Sequence, residues 1–320
     1  MLGTWKTGEI HDIHQDMSQL TVKVITKVLF GVDITQMALE IGDALESILL
    51  QYYHKAQTSF LLPSWVPTPG NLRANRAIEY LNKLVIDIIE QRRESPQDDL
   101  LSSLLLAQDE DGSQLSMKEL RDEVMTLLLA GHETTATALT WTLMLLAQNP
   151  EVAQKLASET QSVLEGRAPG ITDLPRLPYT EMVLKESMRL YPPAWALSRE
   201  VAQDCMIGPY FLKRGTSVFF SQWVVHRDTR FFDNPEQFLP ERWQDNLELN
   251  LPRCAYFPFG AGPRGCIGQA FSIMEATLIL AMILKQNYFK LVPDQAIELL
   301  PSITLRPKYG IKMILESSNL

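Results

Sequence analysis

One cysteine set among four glycines is the first sign of chemistry in this sequence. The stretch FGAGPRGCIG, residues 259–268, places Cys266 two residues after Arg264 and surrounds it with Gly260, Gly262, Gly265 and Gly268. A buried structural thiol needs no glycines beside it. Glycines let a backbone approach something flat and large, and let its N–H groups point at the sulfur. Cys266 also lies just before a helical pattern, residues 268–285, whose positive end favours the thiolate. Arg264 can reach an acidic substituent of a bound group. From composition alone, a glycine-rich turn with an incidental thiol remains an equal alternative. A dinucleotide fingerprint, Gly260-x-Gly262-x-x-Gly265, does not survive its context. Pro258 breaks the preceding strand, and about fifty residues follow, too few for the rest of a doubly wound sheet.

Glu133 and Thr134 are polar residues within the apolar run LLLAGHETTATALTW. Burying them without partners is costly. A threonine can satisfy itself on the carbonyl one turn earlier. An acid beside a hydroxyl can instead relay protons from water to a reacting centre. HETTA begins like the zinc motif HExxH, but Ala136 stands where the second histidine belongs, so no zinc site is expected. Ala130 and Gly131 precede the pair, and Gly131 offers the helix space and a point of distortion. Glu186 and Arg189 stand at i and i+3 on one helix face. Exposed, such a pair is worth a few tenths of a kcal/mol.

These residues need long, mostly helical elements to hold them. The chain has 320 residues, 46% hydrophobic and 21% charged, enough for one large domain or two small ones. A net charge of −9 and the lack of a basic stripe argue against a nucleic-acid partner. Cys205, Cys254 and Cys266 form neither a disulfide framework nor a CxxC pair, so a reducing, cytoplasmic setting is expected. No apolar run approaches the ~20 residues of a membrane span and no signal peptide follows Met1, so a membrane is not indicated.

SQLTVKVITKVLFG reads as a helix ending at Gly31, and AIEYLNKLVIDIIEQRRES as another with a basic last turn. LLPSWVPTPG, residues 61–70, is a buried turn or a greasy lid, and DEDG, residues 109–112, is a turn without calcium-loop spacing. Ser116 and Glu119 form a capping box. The helix they start runs to Gln148, on the order of 45–50 Å, and its middle should be buried. Asn149 should cap the next helix with Pro150 at its first position. Residues 178–190 form a further helix, TSVFFSQWVV reads as β, and the tail SITLRPKYGIKMIL reads as a hairpin.

The pattern Phe259-x-x-Gly262-x-Arg264-x-Cys266-x-Gly268 resembles the haem-thiolate signature of the cytochrome P450 monooxygenases. Three more motifs agree in type and order. Glu186-x-x-Arg189 resembles the family's E-x-x-R helix, PERW its meeting segment with Arg242, and AGHETT its oxygen-activation motif, with Ala130, Gly131, Glu133 and Thr134. The resemblance implies a mainly α fold with a minor β region, as one domain over residues 1–320. It implies haem b, iron protoporphyrin IX, with Cys266 as axial ligand. That ligand pushes electron density to favour O–O cleavage. Arg264 and Arg199 would hold propionates, Glu133 and Thr134 would handle protons, and Glu186, Arg189 and Arg242 would form a buried structural network. HRD, residues 226–228, is structural. Ala194 to Leu197, Leu128 and Leu129 are candidate substrate contacts. The implied reaction inserts one oxygen atom from dioxygen into a small apolar substrate, of fatty-acid or terpenoid type in a bacterial enzyme. Electrons would come from a ferredoxin or flavoprotein reductase.

The sequence departs from that pattern in one respect. The oxygen-activation motif falls at residue 130, well before its usual place, so the chain matches the C-terminal two-thirds or so of the family fold. Trp5 does not reproduce the family's N-terminal propionate-binding helix. The reading is therefore of an N-terminally truncated chain, with large side chains of residues 127–134 exposed toward a cleft. Rivals are a non-catalytic remnant with weak haem binding, favoured by the missing segment, and a haem-thiolate peroxygenase or isomerase, disfavoured by the Glu133–Thr134 pair.

Overall fold

The computed structural model describes residues 5–34, 37–57, 63, 65–285 and 287–317. They fall into two compact units, one of residues 12–137 and the other of residues 138–320 together with Leu2–His11. The fold is mainly α with four small sheets. No helix among the described residues is long and apolar enough to cross a membrane.

The first unit is helical. Helix α1 (Ile13–Phe30) begins where Asp12 accepts from the Gln15 N–H at 3.3 Å and ends at Gly31, whose φ of +62° is the left-handed cap anticipated there. Helix α2 (Ala38–Gln57) leads to helix α3 (Pro69–Glu94), capped by Thr68. Asn71 holds the proline-rich connection by donating to the carbonyls of Pro63 and Val66 at 3.0 and 2.9 Å. Trp65 is 80% exposed, so the described part of that connection is not a buried turn; residues 61, 62 and 64 lie outside the described residues. Buried Arg92 ties the end of α3 to α1 by donating to the Phe30 carbonyl at 2.6 Å. Helix α4 (Leu100–Leu106) and the DEDG turn follow, the latter closed by Gly112 N–H on the Asp109 carbonyl.

Helix α5 (Met117–Gln148) runs 32 residues, and the unit boundary falls within it after Thr137. Its capping box forms as expected: Ser116 N–H donates to Glu119 at 2.9 Å and Glu119 N–H to Ser116 Oγ at 3.3 Å. Asn149 departs from expectation. Its side chain makes no bond to the next helix; its Nδ2 donates back to the Leu145 carbonyl at 2.8 Å and closes α5 instead. A last-turn carbonyl lacks an intrahelical partner, and the amide supplies one.

In the second unit, helix α6 (Pro150–Leu164) is followed by a 3-10 turn (Ile171–Arg176) and helix α7 (Pro178–Leu190). Glu159 of α6 caps α7, accepting from Tyr179 N–H at 2.7 Å and from Thr180 N–H at 2.9 Å. Strand β1 (Ile10–Asp12) joins a sheet of order β1-β9-β6, with β6 at Asn287–Leu291 and β9 at Lys312–Ser317. Three antiparallel ribbons complete the β part: β2 (Leu197–Glu200) with β5 (Ser217–Phe220), β3 (Cys205–Ile207) with β4 (Tyr210–Leu212), and β7 (Leu299–Pro301) with β8 (Leu305–Pro307).

Two expectations fail here. The tail is not one hairpin: β8 turns back on β7 and β9 pairs with β6, burying Met313 and Leu315. TSVFFSQWVV is β only to Phe220. Ser221 then caps a short helix α8 (Gln222–Val225) by accepting from Val224 N–H at 3.4 Å. Helix α10 (Gln269–Leu284) closes the core, after short helix α9 (Leu247–Asn250).

Candidate functional site

In the first unit the chemistry rests on α5 where it crosses α1. A Cβ added to Gly131 would lie 2.6 Å from Ile25 Cδ1, so this glycine permits close helix contact. The Thr21 hydroxyl donates to the His132 carbonyl at 3.0 Å in the same crossing. The helix continues through Gly131 without a break. His132 and Glu133 are buried, with Nε2 and Oε2 3.8 Å apart. Burial holds the His132 pKa below its ordinary value, and the adjacent Glu133 charge opposes that only in part. Thr134 is half-buried, and its hydroxyl donates to the Ala130 carbonyl at 2.8 Å, which leaves its oxygen free to accept.

Exposure along residues 127–134 differs from expectation. Leu128 is 3% exposed, and His132 and Glu133 are buried. The open residue is Ala130, flanked by half-buried Leu127, Gly131 and Thr134 at helical spacing. The most exposed position of this stretch is therefore a small side chain, while Leu128, His132 and Glu133 are buried. Leu129 is half-buried.

The second unit carries the cysteine. Cys266 is exposed, and its N–H donates to the Phe259 carbonyl at 2.9 Å, closing the loop. Gly260 and Gly262 sit at φ of +71° and +70°, a region that strains other residues. Nothing lies within 4 Å of the position a Gly262 Cβ would take. Arg264 is exposed on a 3-10 turn (Gly262–Arg264). Helix α10 begins at Gly268, which has no side chain to cap it, so its first N–H groups lie close in sequence to the sulfur.

Strand β2 supplies Arg199. Its guanidinium is exposed and donates to the Ser198 carbonyl at 2.7 Å. Leu197 lies on the same strand face, two residues away, and its Cδ1 would stand 3.4 Å from a Cβ on Gly260. Ala194 to Leu197 are half-buried, and Trp195 is fixed by donating to the Ser302 carbonyl at 2.9 Å.

Beneath the loop lies an ionic cluster. Glu186 and Arg189 are fully buried and joined twice, Nε to Oε2 at 2.9 Å and Nη2 to Oε1 at 2.8 Å. Arg242 donates to the same carboxylate at 2.9 Å. Leu239 N–H and Trp243 Nε1 donate to it as well, each at 2.9 Å. Arg189 spends its remaining donors on the carbonyls of His226, Pro235 and Gln237. The Trp243 and Leu239 contributions have no signature in the sequence; Trp243 adjoins Arg242, and that adjacency was the only available hint.

His226, of the HRD stretch, is buried, and its ring accepts from Phe257 N–H at 2.9 Å. Burial, helped by the Arg189 charge, lowers its pKa to about 3. Glu275 of α10 carries no motif in the sequence: it is 5% exposed, its carboxyl oxygens have no hydrogen-bond partner among the described residues, and burial raises its pKa to about 8.

Among the described residues, no group of three His, Cys, Asp or Glu side chains could hold a metal ion. An exposed thiol, a loop opened by glycines and two unpaired-by-acid guanidiniums fit an iron macrocycle bearing acidic substituents.

Comparison with known proteins gives the same direction. The sequence model of the family described as Cytochrome P450 matches residues 5–315. The chain is 38% identical over 306 residues to cyclooctatin synthase of Streptomyces melanosporofaciens, covering 94% of this chain and 67% of that protein. It is 37% identical to cyclooctat-9-en-7-ol 5-monooxygenase of the same organism, covering 91% and 64%. It is 36% identical to pentalenene oxygenase of Streptomyces avermitilis, covering 91% and 65%. The chain spans about two thirds of the length of these relatives.

Proposed function

The chain belongs to the cytochrome P450 family, and on that premise we propose that it is a monooxygenase that holds haem b through Cys266. The observation that carries the proposal is the cysteine loop: an exposed thiol, positive-φ glycines and an uncapped helix start in one ten-residue stretch. When bound, haem supplies the redox-active iron at which dioxygen is activated, and a thiolate ligand favours O–O cleavage. The first-turn N–H groups of α10 stabilise the Cys266 thiolate, and Gly260 and Gly262 keep side chains out of the ring's place. Arg264 and Arg199 pair with its acidic substituents. Glu133 and Thr134 pass protons between them, Thr134 accepting at Oγ1 while bonded to Ala130.

One atom of dioxygen enters the substrate and the other leaves as water, with electrons from a ferredoxin or a flavoprotein reductase. Two relatives are named for cyclooctat-9-en-7-ol and pentalenene. Those names support an olefinic, terpenoid-type substrate here. Half-buried Leu197 and Trp195 suit contact with such a substrate, being apolar and offering few hydrogen bonds.

The test supplies the haem-loaded protein with pentalenene, ferredoxin, its reductase and isotopically labelled dioxygen. The product should carry one labelled oxygen. Turnover with peroxide alone, and none with reductant, would overturn the monooxygenase reading in favour of a peroxygenase.

A further inference from the structure

His226 and Tyr256 both join the ionic cluster to the segment that leads into the cysteine loop. The Tyr256 hydroxyl donates to the Lys185 carbonyl at 3.1 Å and its ring lies 4.5 Å from that of Trp243, while His226 alone of the two reaches the Phe257 N–H. Arg189 Nη1 donates to the His226 carbonyl at 2.9 Å, which fixes the backbone of that residue. His226 Nε2 then accepts from Phe257 N–H at 2.9 Å. The Phe257 carbonyl accepts from Gly260 N–H at 2.9 Å, and the Phe259 carbonyl from Cys266 N–H at 2.9 Å. The ring also lies against the segment it holds, with centroids 5.1 Å from Tyr256 and 5.4 Å from Phe257.

Because Nε2 accepts, the ring is neutral and its hydrogen is on Nδ1. Nδ1 faces the backbone of Met188 and Arg189 without reaching hydrogen-bond geometry. A residue needed only to fill space would not have to accept a hydrogen bond from the Phe257 N–H. Leucine or phenylalanine would fill it and leave the Phe257 N–H unpaired.

We propose that His226 is a positioning residue for Cys266: its Nε2 anchors the Phe257 N–H and so fixes the loop that presents the thiolate. The proposal rests on Cys266 being the haem ligand. It goes beyond that reading by giving a residue forty positions upstream control over the ligand.

Three variants of the haem-loaded protein test it: His226→Gln, His226→Phe and Phe232→Leu. Glutamine can place an amide oxygen where Nε2 stood, and phenylalanine cannot accept. Phe232 is buried beside Arg189 and Trp243, so its truncation weakens the same cluster without touching Phe257. The wild-type protein, reduced and bound to carbon monoxide, should show the red-shifted Soret band of thiolate ligation. Its absence there refutes the Cys266 reading itself. With that band present, His226→Gln should keep it. His226→Phe should convert most of it to the band of a neutral ligand and release haem roughly 10- to 100-fold faster. Phe232→Leu should lower the melting temperature while keeping the thiolate band. Equal spectral change in His226→Phe and Phe232→Leu at equal loss of stability would reduce His226 to a packing role. Conversion of the band in His226→Gln would overturn it too. Should His226→Phe not fold, His226→Asn replaces it, since its amide falls one carbon short of Phe257.

Discussion

Thr134 and Glu186 are both polar residues on helices, and their surroundings give them opposite work. Thr134 is half-buried and bonded only within its own turn, so little of the fold depends on it. Thr134→Ala should change stability by less than about 0.5 kcal/mol and leave the carbon-monoxide spectrum unchanged. More reductant should end as peroxide and less as product; unchanged coupling would leave it a self-bonded core threonine. Glu186, itself fully buried, accepts from two guanidiniums, an indole and a backbone N–H. Glu186→Ala strands Arg189 and Arg242 without their carboxylate and should cost roughly 3–5 kcal/mol, read by denaturant melting. The i, i+3 spacing made the Glu186–Arg189 pair legible in the sequence. The carbonyls of residues 226, 235 and 237 that complete it were not, because they are set by the path of a loop.

At the scale of elements, α5 and α1 approach closely only because residue 131 has no side chain. Gly131→Ala gains about 1 kcal/mol of helix propensity but forces a methyl onto buried Ile25, at a cost of roughly 1–3 kcal/mol. It should therefore lower stability in the natural sequence and raise it in an Ile25→Ala background. The same sign in both backgrounds would contradict the close crossing. Caps and periodicity locate α7 and α10 from sequence to within a residue or two, since those signals are local; α1 ends at Gly31 as read but begins at Ile13, five residues before the SQLTVKVITKVLFG stretch. Asn149 misled because its amide can serve either neighbouring helix, and the free Leu145 carbonyl decided which. Residues 222–225 misled because β-branched and aromatic residues suit a strand, while a serine cap started a helix there. Strand partners in the tail depend on contacts across the second unit, and no local pattern encodes those.

At the scale of the molecule, two buried groups in the second unit set opposing pH limits. His226 titrates at about 3 folded against 6.5 ordinarily, so its contribution is present above pH 6.5 and lost as pH falls toward 3. Glu275 titrates at about 8 folded against 4.5 ordinarily, so its contribution is full below 4.5 and lost as pH rises toward 8. The two slopes cancel between 4.5 and 6.5 and stability should fall from pH 6.5 to 8. Glu275→Gln should flatten that fall in denaturant melts, and an unchanged slope would assign it to other groups.

The mainly α fold and the order of its motifs were readable in the chain because each motif is short and contiguous. The measurement that bears most directly on the cysteine loop is the spectrum of the reduced, carbon-monoxide-bound protein across its three thiols. Cys205→Ser and Cys254→Ser should keep the red-shifted Soret band, and Cys266→Ser should abolish it. A band that survives Cys266→Ser, or one lost with Cys254→Ser alone, would contradict the assignment of Cys266 as the haem ligand.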